Sequence, residues 1–165
     1  MNVEIQNGMR VPDVRLGFFD GAEIASVSSR ELFRDRSSVV IGVPGAFTPV
    51  CSQQHIPDFI ANAERFKQAG FSELICVAPN DPFVLSAWQA QVDPQNQLRF
   101  LSDGNLNFVH ALGLGACYSE AFLGHRSKRY LLVIHDQTIR RARVERNAMT
   151  YSCTCADDVF IEDVA

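Results

Sequence analysis

Four short apolar runs constrain the fold more than any other feature of this 165-residue chain: VVIGV (39–43), LICVA (74–78), LRFL (98–101) and YLLVI (130–134). Three are almost free of polar interruption, the pattern of strands covered on both faces. Between the first two, Ile56, Phe59, Ile60, Ala63 and Phe66 recur at steps of three or four and the pattern stops at Gly70, so strand, helix, strand is expected. Asn80-Asp81-Pro82 opens a second such unit, with Asp81 as cap, Pro82 at the first helical position, and Phe83, Val84, Ala87 and Trp88 as the buried stripe. Residues 13–27 alternate weakly about Asp20-Gly21 and predict an antiparallel hairpin, after which Ser28 or Ser29 is placed to cap a short helix through SRELFRD. A second hairpin turning near Asp136-Gln137 and a short helix around 156–164 complete an α/β chain. Its expected form is a central mixed sheet flanked by helices, with an N-terminal β-hairpin.

At this length, 47% apolar residues suffice to bury roughly two thirds of the unfolded surface in one domain, 1–165, and no repeat or linker divides it. Fifteen basic against 19 acidic residues leave −4, with no block of like charge, so neither nucleic acid nor a membrane surface is an expected partner. MNVEIQNGMR lacks the basic and apolar segments of a secretory leader, and no 18-residue apolar run occurs, which predicts a cytoplasmic protein. The five cysteines (Cys51, Cys76, Cys117, Cys153, Cys155) are odd in number and form no C-x-x-C pair. Transient chemistry is therefore expected of them rather than structural disulfides.

The stretch VPGAFTPVCS (43–52) sets Cys51 at the carboxyl end of the first apolar run, where a helical pattern begins. In open α/β sheets that edge gathers reactive groups. If the helix starts near Ser52, its unpaired N–H groups and positive dipole end favour thiolate over thiol. Thr48, three residues earlier, can set a hydroxyl beside the sulfur as donor and acceptor, while Pro44 and Pro49 fix the turn. Pro57 lacks the N–H that would reach residue 53, so the first helical turn should be kinked. The same residues also describe an inert buried cysteine.

Pro44, Thr48 and Cys51 match the P-x-x-x-T-x-x-C signature of peroxiredoxins, and GVPGAFTPVCS resembles the peroxiredoxin-5 or plant type-II branch. APNDPFVLSAW (78–88), HRSKRY (125–130) and ELF near residue 32 resemble that branch at corresponding places, so the likeness spans the domain. It implies a thioredoxin-like fold and a thiol-dependent peroxidase for H₂O₂ and alkyl hydroperoxides, with Cys51 as nucleophile and Arg129 as the active-site arginine. No cofactor and no metal are implied. Regeneration by glutathione with glutaredoxin, or by thioredoxin, a role in antioxidant defence, and a homodimer are implied as well.

The rate has to come from more than a low thiol pKa. Lowering it from about 8.5 to about 6 raises the thiolate fraction roughly 30-fold at pH 7, while a Brønsted slope near 0.4–0.5 removes about 10-fold in nucleophilicity. The remaining burden falls on groups that stabilise charge on the peroxide oxygens: Arg129, the Thr48 hydroxyl and the backbone N–H groups near 50 and 51.

Three thiols are candidates to resolve the sulfenic acid. Cys76 stands 25 residues after Cys51, as plant type-II members place their second cysteine, but LICVA also reads as plain strand core. In the other branch pattern the resolving thiol lies near the C-terminus; Tyr151 stands about there, flanked by Cys153 and Cys155 in TYSCTCADD. As a C-x-C without a nearby histidine, that pair makes a weak zinc site. Cys117 has no motif around it. Two rival readings remain: a cysteine hydrolase using His55 as base, and a redox sensor or partner-binding module using the same sulfenic acid. His110, His125 and His135 read as surface or loop residues, Trp88 as core, and Phe47 as lining either the approach to Cys51 or a dimer contact.

Overall fold

The computed structural model describes residues 5–160. An antiparallel hairpin comes first, β1 (Arg15–Phe19) and β2 (Ile24–Ser28), followed by α1 (Ser29–Phe33). Ser28 caps α1 by accepting the Glu31 N–H at 3.1 Å. Then come β3 (Ser37–Gly42), α2 (Ile56–Ala61), α3 (Ala63–Gln68), β4 (Glu73–Ala78), α4 (Pro82–Val92) and β5 (Arg99–Ser102). The chain continues through α5 (Asn107–Ala111), β6 (Gly115–Tyr118), β7 (Gly124–Ser127), β8 (Tyr130–His135) and β9 (Thr138–Val144). Seven strands form one mixed sheet in the order β2-β1-β5-β4-β3-β8-β9, while β6 and β7 pair separately. The β3–β4 and β4–β5 pairs are parallel and β3–β8 is antiparallel, with Ile41 opposite both Cys76 and Leu131. This is the thioredoxin-like α/β arrangement expected from the resemblance.

The apolar runs are continuous because alternate residues serve two cores. Val39, Ile41, Val43, Cys76 and Leu131 pack with Cys51, Phe59, Phe66, Trp88 and Phe100 on one face. Val40, Ile75, Val77 and Leu132 pack with Leu32, Phe33, Phe108 and Val109 on the other. Burying both faces removes the polar alternation that a half-exposed strand would show. Gly42, opposite Tyr130, is required by that packing: a Cβ there would lie 1.9 Å from the tyrosine ring.

Asp81 caps α4 as expected, accepting the N–H groups of Phe83 (2.9 Å) and Val84 (3.0 Å). Asp136 and Gln137 turn β8 into β9 with φ of 42° and 64°, the left-handed pair of a tight hairpin. The helix expected through residue 70 departs from a single rod. Cys51–His55 form a π-helical turn in which the Ile56 N–H reaches the Cys51 carbonyl, and Asn62 then separates α2 from α3. Pro57 explains the first irregularity, since it leaves the residue-53 carbonyl without its usual donor. Of the helix expected around 156–164, a 3₁₀ turn at Ala156–Val159 is present, and 161–164 lie outside the described residues. Among the described residues, no helix is long and apolar enough to cross a membrane.

Candidate active site

β3 delivers the chain to a loop held from three sides. Val43 donates its N–H to the Val77 carbonyl (3.1 Å), and Ser127 on β7 donates its hydroxyl to the Val43 carbonyl (3.1 Å). The Ala46 N–H bonds the Asn80 side chain (2.8 Å), beyond the end of β4. Pro44 is buried between these anchors, and helical backbone begins at Pro49, one turn earlier than expected. The Thr48 carbonyl accepts the Ser52 N–H at 3.0 Å, which sets Cys51 inside the first turn rather than before it.

Cys51 has no exposed surface. Its sulfur accepts a hydrogen bond from Arg129 Nη2 at 3.3 Å, so the first turn and the start of β8, 78 residues apart, meet at one atom. Arg129 is itself 1% exposed. Its Nε and Nη2 both donate to the Ala148 carbonyl (3.2 and 2.9 Å), and Nη1 pairs with His55 Nδ1 at 3.0 Å. His55 Nε2 lies 3.1 Å from the Thr154 carbonyl, which only an N–H can satisfy. The proton is therefore on Nε2, and Nδ1 accepts from the guanidinium. Burial, reinforced by the Arg129 charge, holds this imidazole down at about 3.

The segment after β9 is drawn in by one carboxylate. Glu145, 3% exposed, accepts at Oε1 the N–H groups of Ser152 (2.7 Å), Cys153 (2.8 Å) and Thr154 (3.1 Å) and the Thr154 hydroxyl (2.9 Å). Its Oε2 takes the Ser152 hydroxyl at 2.8 Å, and its own N–H bonds the Arg129 carbonyl at 3.0 Å. Burial acts to raise this carboxyl, but the donors from Cys153, Ser152 and Thr154 together outweigh it and bring it down to about 2. Tyr151 stands with its ring 5.0 Å from that of His55 and donates its hydroxyl to Asp58.

The structure thus brings Cys51 and Arg129 into contact and buries Pro44 in the loop leading to them; it adds Glu145, which nothing in the sequence pointed to, and gives His55, expected only as a hydrolase base, the role of Arg129 partner. His55 was visible one turn beyond Cys51, but its partners are distant in sequence. Nothing in the residues around Glu145 signals its role. Thr48 departs from expectation: its hydroxyl donates back to the Gly45 carbonyl at 2.7 Å rather than to the sulfur. The hydrolase reading is corrected too. A catalytic base needs a proton-accepting nitrogen turned to its nucleophile, and both nitrogens of His55 are committed, to Arg129 and Thr154.

The remaining thiols differ in setting. Cys76 is fully buried in β4, and burial, with Cys51 nearby, pushes it well up. Cys153 is half-buried with its thiol directed to the Val144 carbonyl (3.5 Å), and burial together with Glu145 raises it. Cys155 is pushed up to about 11 by burial, then by Asp158 and Asp58. Cys117 is exposed on β6.

A buried cysteine in the first helical turn after the loop that follows β3, touched by an arginine just before the antiparallel strand β8, defines a redox protein of the thioredoxin-like class, and the family model described as Redoxin matches residues 6–156. The chain is 41% identical over 154 residues to Peroxiredoxin-2C of Oryza sativa subsp. japonica, spanning 93% of this chain and 94% of that protein. It is 37% identical over 151 residues to Peroxiredoxin-2B of Arabidopsis thaliana, spanning 91% and 93%. The crystal structure of reduced Prx3 in complex with H₂O₂ from Vibrio vulnificus superposes with a TM-score of 0.88 at 31% identity, spanning 94% of this chain and 93% of that one. The chain belongs to the peroxiredoxin family, on its type-II and peroxiredoxin-5 branch, and is a thiol-dependent peroxidase.

Proposed function

We propose that Cys51 is the peroxidatic nucleophile and that Arg129, Thr48 and Pro44 complete its site. The observation that carries this is the 3.3 Å contact from Arg129 Nη2 to the Cys51 sulfur, both residues being buried. The thiolate attacks the terminal oxygen of H₂O₂ or an alkyl hydroperoxide. An S–O bond forms as the O–O bond breaks, sulfur is oxidised by two electrons to sulfenic acid, and hydroxide or alkoxide leaves and takes a proton from water. Arg129 supplies fixed positive charge to the oxygens as they become negative. Because the Thr48 proton is spent on Gly45, its oxygen is left to accept the hydroperoxide O–H and orient it. Pro44, buried between the loop anchors, keeps these groups in place.

An external thiol, from glutathione with glutaredoxin or from thioredoxin, reduces the sulfenic acid. Three N–H groups of the segment bearing Cys153 and Cys155 are held by Glu145, and both thiols are raised, which disfavours attack from either; Cys76 is closed inside the sheet. The protein acts as one domain over residues 1–165 and as a homodimer in the cytoplasm. Exposed Ile24 and Phe83, the latter in ring contact with Phe19 at 5.2 Å, offer an apolar face for the second copy, and five free thiols suit a reducing compartment. Mass spectrometry after one equivalent of H₂O₂ and a sulfenic-acid trap tests the assignment. The trap should mark Cys51 and, with glutathione instead, a mixed disulfide should form there. A label on another cysteine overturns Cys51, and a 51–153 or 51–155 disulfide overturns the external route.

A further inference from the structure

We propose that Arg126 is a carboxylate anchor beside the Gly45–Thr48 loop that leads to Cys51, and that the ligand it selects is an organic hydroperoxide carrying a carboxylate on an apolar body. The proposal rests on the reading of Cys51 as nucleophile and extends it to substrate choice. Arg126 lies on β7, and its Nη1 reaches the peroxidatic loop itself: a Cβ built on Gly45 would lie 3.3 Å from that nitrogen and 3.2 Å from the Thr48 methyl. Gly45 does not have the positive φ that would by itself demand glycine. What its bareness provides is room for the guanidinium to lie against the loop beside Thr48.

The guanidinium is held but not neutralised. Its Nε donates to the Leu123 carbonyl at 2.8 Å, and the four N–H bonds of its Nη atoms meet no acceptor among the described residues. An Arg fork fixed at Nε and open at both ends matches the two oxygens of a carboxylate. The surroundings suggest what else that ligand carries. Phe47, two residues from Gly45, is turned outward at a φ of 63° and is 52% exposed. Phe122, next to the Leu123 that fixes Arg126, has a φ of 58° and is 96% exposed. Two outward phenylalanines around one open cation suit an amphiphilic anion better than a small polar one. Such a ligand would lay its chain on the rings, its carboxylate on Arg126 and its O–O bond at Cys51. The step is unchanged: one oxygen passes to sulfur, and the hydroxy acid leaves after the alkoxide takes a proton from water.

The test uses one hydroperoxide in two forms, a C18 fatty-acid hydroperoxide and its methyl ester, against the full chain in stopped flow. Trp88, whose Nε1 donates to Ser52 at 3.0 Å, gives the fluorescence signal. The wild-type protein should favour the acid over the ester by about fivefold or more, the order expected of a half-exposed charge-assisted pair. Arg126→Gln should level that ratio and Arg126→Lys retain part of it. A ratio that Arg126→Gln leaves unchanged, or no preference in the wild type, overturns the anchor. H₂O₂ separates the two readings: a wild-type protein that fails to react with it strikes the Cys51 assignment, whereas normal H₂O₂ reaction with a flat acid-to-ester ratio strikes Arg126 alone. The same variants are reduced with glutathione and with its dimethyl ester. An effect confined to that pair places the carboxylate on the reductant and overturns the choice of substrate.

Discussion

Cys51 and Cys76 occupy the same core on the same face of the sheet, and neither has any exposed surface. They differ in what their backbones and neighbours offer. Cys76 lies mid-strand, its backbone paired with Ile41 and Phe100 on either side, and among the described residues its thiol takes part in no hydrogen bond. Cys51 lies just beyond a strand end, in a turn widened by one residue, with a guanidinium at 3.3 Å. Burial opposes a thiolate wherever it occurs. What separates the two settings is the guanidinium hydrogen bond, which is made to Cys51 and not to Cys76.

The sharpest way to break that comparison is to exchange the roles. Cys51→Ser should end peroxide consumption altogether, while Cys76→Ser should leave the oxidation rate within about twofold and instead cost about 1–3 kcal/mol of unfolding stability, the penalty for a hydroxyl without a partner in the core. Stopped-flow oxidation and urea unfolding read the two effects. Loss of peroxide reactivity in Cys76→Ser would mean that the second thiol takes part.

Arg129→Gln should come next, slowing sulfur oxidation by about 10²–10³ as a preorganised donor is lost. Arg129→Lys should recover little of this, because an ammonium can replace one of the contacts to Cys51, His55 and Ala148 but not the planar fork that makes all of them. Thr48→Val sharpens the reading further. It should slow oxidation about tenfold, with Thr48→Ser restoring most of the rate, since serine keeps an oxygen to accept the hydroperoxide O–H. A Thr48→Val protein with the wild-type stopped-flow rate would show that the hydroxyl serves only its bond to Gly45.

How much of this was readable before the structure follows from where each interaction is made. β3, β4, β5 and β8 announce themselves because strands covered on both faces must be apolar at nearly every position. β6 and β7, GACY and GHRS, pair outside the main sheet and carry no such run, and α5 offers no long stripe, so none of them was anticipated. Pro57 signals that the first turn is irregular, but a missing donor does not say whether the turn will tighten or widen. At the site, Pro44 and Cys51 are local and fit a motif, whereas Arg129 came only through resemblance to a family. His55 and Glu145 act through partners invisible to local pattern: the His55 bonds run to residues 74 and 99 positions away, and the Glu145 carboxylate binds backbone N–H groups, which every non-proline residue possesses, as often as hydroxyls.

The smallest expected effect concerns the histidine that holds Arg129 in place, and it is read as stability against pH. His55 titrates at an ordinary 6.5 when unfolded and near 3 in the fold, because burial and Arg129 oppose its charge. Between those values the unfolded chain binds a proton that the folded one refuses. Stability should therefore fall as pH drops from about 6.5, by up to about 1.4 kcal/mol per pH unit from this group. Glu145 works in a separate window: its carboxyl is lowered from 4.5 to about 2, so its contribution is intact above 4.5 and lost only as pH falls toward 2. Between pH 6.5 and 5.0 the difference in slope between wild type and His55→Asn should thus report His55 alone, amounting to about 2 kcal/mol in urea-unfolding free energy. Parallel slopes would mean that the imidazole accepts a proton within the fold. Arg129 would then have to move away from it, and the contact that distinguishes Cys51 from Cys76 would be lost in mild acid.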